Sequence, residues 1–304
     1  MENFSRPSRK LRICRRVASA FSIQKMEDMC MRVYISTDAE GITGVFKLSQ
    51  VIPGDPSYEY FRTMMTSDVN AAIRGAFNAG ATEVYVNDSH NMGDNLRLDT
   101  LDPRAHLCSG FDKPLIMAEG LERGFDAAML IGYHSRKGAR GTVSHTFFYG
   151  ALFDARINGV PFGEADFVAH VAGHFGTPLV FLSGDDCVTA YAHEKMPGVE
   201  TVAVKEYIGN NTALCRNPAE TAPEIEAAVE RAVRNCKNVK PLTLQGPVTL
   251  ELTFSCSTQA ELACTIGFEP GDVDNQVRFT ADDYFTVYQA FMKALKIGAF
   301  FKDR

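Results

Sequence analysis

Four short apolar runs constrain this chain more than any other feature, because each one stops at groups able to do acid–base or metal chemistry. RVYIST leads into Asp38 and Glu40, EVYVN into Asp88 and His90, AAMLIGY into His134, and PLVFLSG into Asp185 and Asp186. The runs are rich in Val, Ile, Leu and Tyr and alternate with helical or mixed segments. EYFRTMMTSDVNAAIRGAFNAG follows the first and closes on Gly80; GEADFVAHVAGHFG precedes the fourth. Such alternation is the signature of a parallel sheet covered by helices. The expected fold class is therefore α/β: a mostly parallel sheet covered by helices, with a second, smaller α/β domain.

In open parallel sheets the loops beyond the carboxyl ends of the strands converge and bind ligands there. A single strand ending in Asp is ordinary turn chemistry. Four strands ending this way would bring acids and imidazoles to one rim. The helix opening at Glu164 adds an independent acid. At 100° per residue, Glu164 falls within the apolar stripe of Phe167, Val168, Val171, Ala172 and Phe175. His170 and His174 fall towards the other face and read as solvated surface residues despite their i, i+4 spacing. A carboxylate on the core side is either a first-turn group favoured by the helix dipole or one neutralised by a cation, since an unpaired buried charge is costly.

The candidate ligands are Asp38, Glu40, His90, His134 and Glu164. Mixed imidazole and carboxylate donors suit zinc, manganese or iron better than magnesium or calcium. Three carboxylates are balanced by two divalent cations sharing a hydroxide, whereas one cation leaves surplus negative charge; a single three-ligand site stays open. His145 lies ahead of a hairpin that turns at Asn158-Gly159. It reads either as a hydrogen-bonded loop histidine or as a catalytic imidazole beside the metals.

STDAEG, VNDSH, LIGYHSR, SHT, INGVPFGE and SGDD, in this order and spacing, resemble the zinc-dependent D-aminopeptidase family from about Met31 onward. The resemblance implies a two-zinc site in which Asp38 bridges, Glu40 and His134 complete one metal, and His90 and Glu164 complete the other. It implies His145 as the catalytic histidine, described as a nucleophile, although metal chemistry favours a base or proton shuttle. It also implies hydrolysis of short peptides that begin with a D-amino acid, of the D-Ala-D-Ala type, in ring-shaped homo-oligomers, typically homodecamers. Another metal-dependent hydrolase, an amidase or phosphoesterase, is the alternative for the same ligands. Ala39 stands where the family more often has a larger apolar residue, and the loop after His90 differs from the glycine-containing one often found there. Both departures bear on substrate preference.

The remaining sequence sets limits. A net charge of −6 over 304 residues provides no basic field for nucleic acid. No run of about 18 apolar residues predicts a membrane span. Eight cysteines without a CxxC pair predict reduced thiols and a cytoplasmic protein. No glycine-rich phosphate loop follows the first strand. Residues 1–30 carry seven Lys or Arg against three acids and read as a basic extension outside the fold. Residues 31–200 are expected to form the metal-binding catalytic domain. Residues 201–304 are chemically quieter and expected to form the smaller C-terminal domain, with an amphipathic helix in EIEAAVERAVRNCKNV, a strand in VTLELTFSCS and a closing aromatic-rich helix.

Overall fold

The computed structural model describes residues 30–300, with side chains through residue 298. The expectation for residues 1–30 thus lies, apart from Cys30, outside the described residues. In chain order the first elements are β1 (Arg32–Thr37), α1 (Tyr58–Asn78), β2 (Glu83–Asp88), β3 (Ala105–Cys108), β4 (Ala127–Ile131), β5 (Leu152–Ile157), β6 (Val160–Pro161) and α2 (Glu164–His174). They are followed by β7 (Leu179–Asp185), α3 (Asp186–Lys195), β8 (Glu200–Gly209), β9 (Thr212–Cys215), α4 (Pro218–Arg234), β10 (Val248–Phe254), α5 (Ser257–Cys264), β11 (Glu269–Pro270), β12 (Gln276–Ala281) and α6 (Tyr284–Phe300).

Seven strands form one sheet in the order β3-β2-β1-β4-β7-β8-β9. All neighbours are parallel except β9, which returns antiparallel on β8. β4 lies at the centre with β1 beside it, and the strand order reverses between β1 and β4. That reversal opens a crevice above their carboxyl ends.

Alternation along β1 divides its side chains between two cores. Val33 and Ile35 pack with Val84, Val86, Met129 and Ile131 beneath α1 and α4. Tyr34 packs on the other face with Leu130 and Leu182, against α2, β10 and α6. α1 buries Phe61, Met65, Val69 and Ile73, a stripe four residues apart. Each such side chain contributes about 1.5–3 kcal/mol when fully buried.

The second sheet is antiparallel, in the order β11-β12-β10-β5-β6. The sheets do not divide at residue 200. β8, β9 and α4 belong to the first sheet and its covering layer, whereas β5, with β6 on its other edge, pairs with β10, which starts at Val248. The β5–β6 hairpin finds its partner there because β10 buries Val248, Leu250, Leu252 and Phe254 on alternate positions and needs a neighbour on that edge. The hairpin turns at Asn158-Gly159 as expected, with both residues at positive φ.

Among the described residues no helix is long and apolar enough to cross a membrane. The described cysteines are all free thiols.

Candidate metal centre

The loops after β1 and β4 meet so closely that only glycine fits between them. The Asp38 N–H donates to Ile131 O and the Gly41 N–H to Gly132 O, each at 2.8 Å. A Cβ on Gly41 would lie 2.0 Å from the Tyr133 carbonyl oxygen, and Gly132 itself has φ +74°. Residues 39–41 therefore form a turn instead of continuing the strand. Asp38 and Glu40 still converge, because the turn folds Glu40 back over the crevice.

Both carboxylates reach His90, with Asp38 Oδ1 and Glu40 Oε2 each 3.4 Å from its Nδ1. On the other side, His134 Nε2 lies 3.2 Å from Asp38 Oδ2 and 3.4 Å from Glu164 Oε2. Glu164 opens α2 and is buried on the core side. Its Oε1 also accepts from the Phe147 N–H. His145 Nε2 stands 3.9 Å from both Glu40 Oε1 and Glu164 Oε1. The rings of His134 and His145 are stacked. All five sequence-predicted ligands and His145 thus share one enclosed cluster.

Each imidazole is oriented from behind by a main-chain carbonyl. His90 Nε2 faces Val51 O at 3.1 Å, His134 Nδ1 faces Ser135 O at 3.0 Å, and His145 Nδ1 faces Val143 O at 2.9 Å. A carbonyl only accepts, so these nitrogens carry the protons. The second nitrogen of each ring faces the carboxylates, the position from which a deprotonated imidazole would ligate a metal.

The electrostatics match a cation site. Asp38 is 2% exposed, Glu40 1%, His134 3% and Glu164 3%. Burial alone would raise the carboxyl of Asp38, yet His134 and His90 outweigh it and hold the group well below the usual carboxylate range. Glu40 is lowered for the same kind of reason, with His90 opposing its burial. Burial would depress both imidazoles, but Glu40 and Asp38 hold His90, and Glu164 and Asp38 hold His134, well above the ordinary histidine value. Asp38 Oδ2, both oxygens of Glu40 and His134 Nε2 are buried without a hydrogen-bond partner among the described residues. Four such orphaned atoms in one place are costly unless a cation satisfies them.

The donor atoms fall into groups of three within 4.8 Å of one another: Asp38, Glu40 and His90; Asp38, His134 and Glu164; and Glu40, His134 and His145. Asp38 belongs to the first two, as a bridging carboxylate would. The first two groups place Glu40 with His90 and His134 with Glu164, whereas the third keeps Glu40 with His134, 4.0 Å apart, the pairing the resemblance implies.

Asp88 and Asp185 serve the scaffold, and Asp186 accepts from the Tyr207 N–H. Asp88 accepts from the Asn95 and Leu96 N–H groups and Asn95 Nδ2, folding the loop that carries His90. Asp185 caps α3 through the Val188 N–H and also holds the Thr142 N–H. His174 is exposed as expected. His170 is not a solvated residue: it is half-buried between Phe162 and Tyr284 with Nδ1 donating to Asp166 O. α6 covers that face of α2, which helical periodicity alone could not anticipate.

Two further residues act on the site from the region past residue 200. The buried Lys205 of β8 donates to the carbonyls of Glu40, Ile42 and Val45 at 2.5, 3.0 and 2.6 Å, fixing the turn that carries Glu40. Asn210, at the β8–β9 turn, bonds to the segment before His145. The one available signal was a lysine in the otherwise apolar run TVAVK.

A cavity of about 310 Å³ adjoins the cluster, lined among others by His134, Arg136, Arg140, Asp166 and Tyr191. It lies between the loop after β4 and the amino-terminal turns of α2 and α3.

Comparison with known proteins agrees with this geometry. A D-aminopeptidase family profile, peptidase family M55, matches residues 31–293. A D-aminopeptidase of Bacillus subtilis (strain 168) is 38% identical over 263 residues, 86% of this chain and 96% of the relative. The solved structure of the Zn-dependent D-aminopeptidase DppA from Bacillus subtilis, a self-compartmentalizing protease, superposes with a TM-score of 0.85 at 37% identity, covering 88% of this chain and 98% of that one. With the match running from β1 into α6 and taking in every residue of the buried cluster, the chain belongs to the D-aminopeptidase family of hydrolases.

Proposed function

We propose that this protein is a zinc-dependent aminopeptidase that removes an amino-terminal D-residue from short peptides of the D-Ala-D-Ala type, using two zinc ions per chain. Asp38 would be shared by the two, with Glu40, His90, His134 and Glu164 completing their ligand sets. The observation that carries this reading is the set of four buried, orphaned donor atoms on Asp38, Glu40 and His134. Three carboxylates make a site of charge −3, which one divalent ion leaves in surplus and two with a shared hydroxide balance. Zinc bound there supplies an activated water at neutral pH and polarises the scissile carbonyl.

The chain's own residues handle protons and orientation. His145 commits Nδ1 to Val143 O, so Nε2 is its working nitrogen. From beside Glu40 and Glu164 it takes a proton from the attacking water and returns it to the leaving amine. This role is preferred to that of nucleophile because the metal pair already provides one. The cavity beside His134 offers space for part of a short peptide, with Arg136 and Arg140 as cationic partners for its carboxylate. By analogy with the self-compartmentalizing relative, we also assign the chain to a ring-shaped homo-oligomer, a homodecamer. The exposed Ile208 and Leu214 on the edge hairpin are candidates for that contact.

The test is turnover of D-Ala-D-Ala, L-Ala-L-Ala and a phosphate ester, with and without a chelator. Cleavage of the D-peptide alone, abolished by chelation and restored by zinc, is expected. Preferential turnover of the phosphate ester or the L-peptide would overturn the assignment.

A further inference from the structure

The segment that presents His145 is held in a conformation that its own residues disfavour. Val143 and Phe147, two positions to either side, have φ +54°. For a β-branched residue such as Val143 this region is a steric outlier, and it persists only where the surroundings over-determine it. Val143 is fully buried and its carbonyl is the acceptor for His145 Nδ1 at 2.9 Å. Whatever fixes the Val143 peptide therefore fixes the imidazole.

That restraint comes from the edge of the sheet. Asn210 sits in the turn joining β8 to β9, and its carbonyl accepts from the Val143 N–H at 2.8 Å. Its Oδ1 accepts from the Ser144 N–H at 3.1 Å and faces Ser144 Oγ at 3.3 Å. Thr142 is tied separately, its N–H donating to Asp185 Oδ2 at 2.6 Å. The two peptides that set the direction of the Val143 carbonyl are thus both anchored on one residue more than 60 positions later in the chain.

We propose that Asn210 is a positioning residue for His145, acting through the Val143–Ser144 peptide to hold Nε2 towards Glu40 and Glu164. The proposal rests on the reading of His145 as the catalytic imidazole. Asn210 touches none of the five candidate zinc ligands among its hydrogen bonds, so its loss acts on proton transfer and leaves metal binding intact.

The experiment compares wild type with Asn210→Ala, Asn210→Asp and His145→Ala on D-Ala-D-Ala, measuring kcat, KM, zinc per chain and thermal melting. Asn210→Ala is expected to lower kcat by about 10- to 100-fold, the scale on which small misplacements of a reacting group act, with KM and zinc content unchanged. Asn210→Asp retains the Oδ1 acceptor and is expected to recover most of kcat. Asn210→Gln, which keeps the amide and moves the acceptor by one methylene, serves if the alanine variant does not fold; it too should lose kcat with zinc retained. An Asn210→Ala kcat within twofold of wild type, with His145→Ala inactive, would overturn the proposal and leave the His145 reading standing. So would zinc loss in proportion to activity, which would make Asn210 a structural support of the metal cluster. Full activity in His145→Ala would instead remove the reading on which the proposal stands.

Discussion

The imidazoles of His134 and His145 lie face to face, with ring centroids 4.3 Å apart and planes 8° from parallel. His134 faces Asp38 and Glu164 at closer range, whereas His145 stays 3.9 Å from its nearest carboxylates. On the proposed reading the pair separates two tasks: His134 as ligand and His145 as proton carrier.

Removing the second ring should separate those tasks experimentally. His145→Ala is expected to keep its full zinc content while turnover falls by roughly 10²- to 10⁴-fold, the usual contribution of a general acid–base group. Metal analysis alongside steady-state kinetics makes the comparison. Near-normal turnover with zinc bound would dismiss both roles considered for His145.

Gly41 is the tightest point of the scaffold under the site, since its Cβ position meets the Tyr133 carbonyl at 2.0 Å. Backbone cannot yield as a flexible side chain does. Gly41→Ala should therefore cost on the order of 1–3 kcal/mol or more by overpacking and should reduce zinc retention, because the displaced turn carries Glu40. Urea unfolding and metal content report the two effects. Stability and zinc content equal to wild type would show that the loops can separate freely.

Lys205 is 1% exposed, and burial pushes its ammonium down to about 8 against the pull of Asp185 and other acids. Lys205→Met keeps most of the volume but strips donors from three carbonyls at once. A loss on the order of 3 kcal/mol is expected, since each abandoned buried acceptor costs about 1–3 kcal/mol and some recover water. Denaturant titration measures it, and an unchanged midpoint would mean that water replaces the ammonium without penalty.

Asp68 gives a pH signature away from the metal cluster. It accepts from the Thr43 N–H and Oγ1 at 2.9 and 3.0 Å, and burial raises its carboxyl from 3.8 to about 6. The folded state therefore binds this proton more tightly than the unfolded chain. The group's contribution is fully present below the unfolded value of about 4 and is lost as pH rises through about 6, roughly 3 kcal/mol at most. Asp68→Asn can keep the bonds to Thr43, whose hydroxyl also meets Thr221 Oγ1 at 3.0 Å. The difference in unfolding free energy, variant minus wild type, should grow from pH 4 to pH 6 and then level off. A difference independent of pH would show that Asp68 titrates alike in both states.

The parallel sheet and the ligand set were legible for related reasons. Strand runs ending in Asp38, His90 and His134 announce a rim by topology alone, and the place of Glu164 in an apolar stripe marks a charge that must be neutralised. The path of the loop that carries Glu40 was not legible. It depends on the turn at 39–41, which exists because Gly41 and Gly132 allow two loops to touch. The half-burial of His170 was hidden for a comparable reason, since the covering helix α6 begins more than 100 residues later. Lys205 and Asn210 left almost no trace, because a lone lysine in a strand and an asparagine in a turn are ordinary locally and gain meaning only through contacts across the fold. The same long-range pairing explains why the sheets do not divide at residue 200.

Counting zinc tests the central claim most directly. Wild-type protein, dialysed against metal-free buffer after loading, is expected to hold two zinc ions per chain, and Glu164→Ala one. A wild-type value of one, or an unchanged value of two in Glu164→Ala, would contradict a two-zinc centre built on these residues.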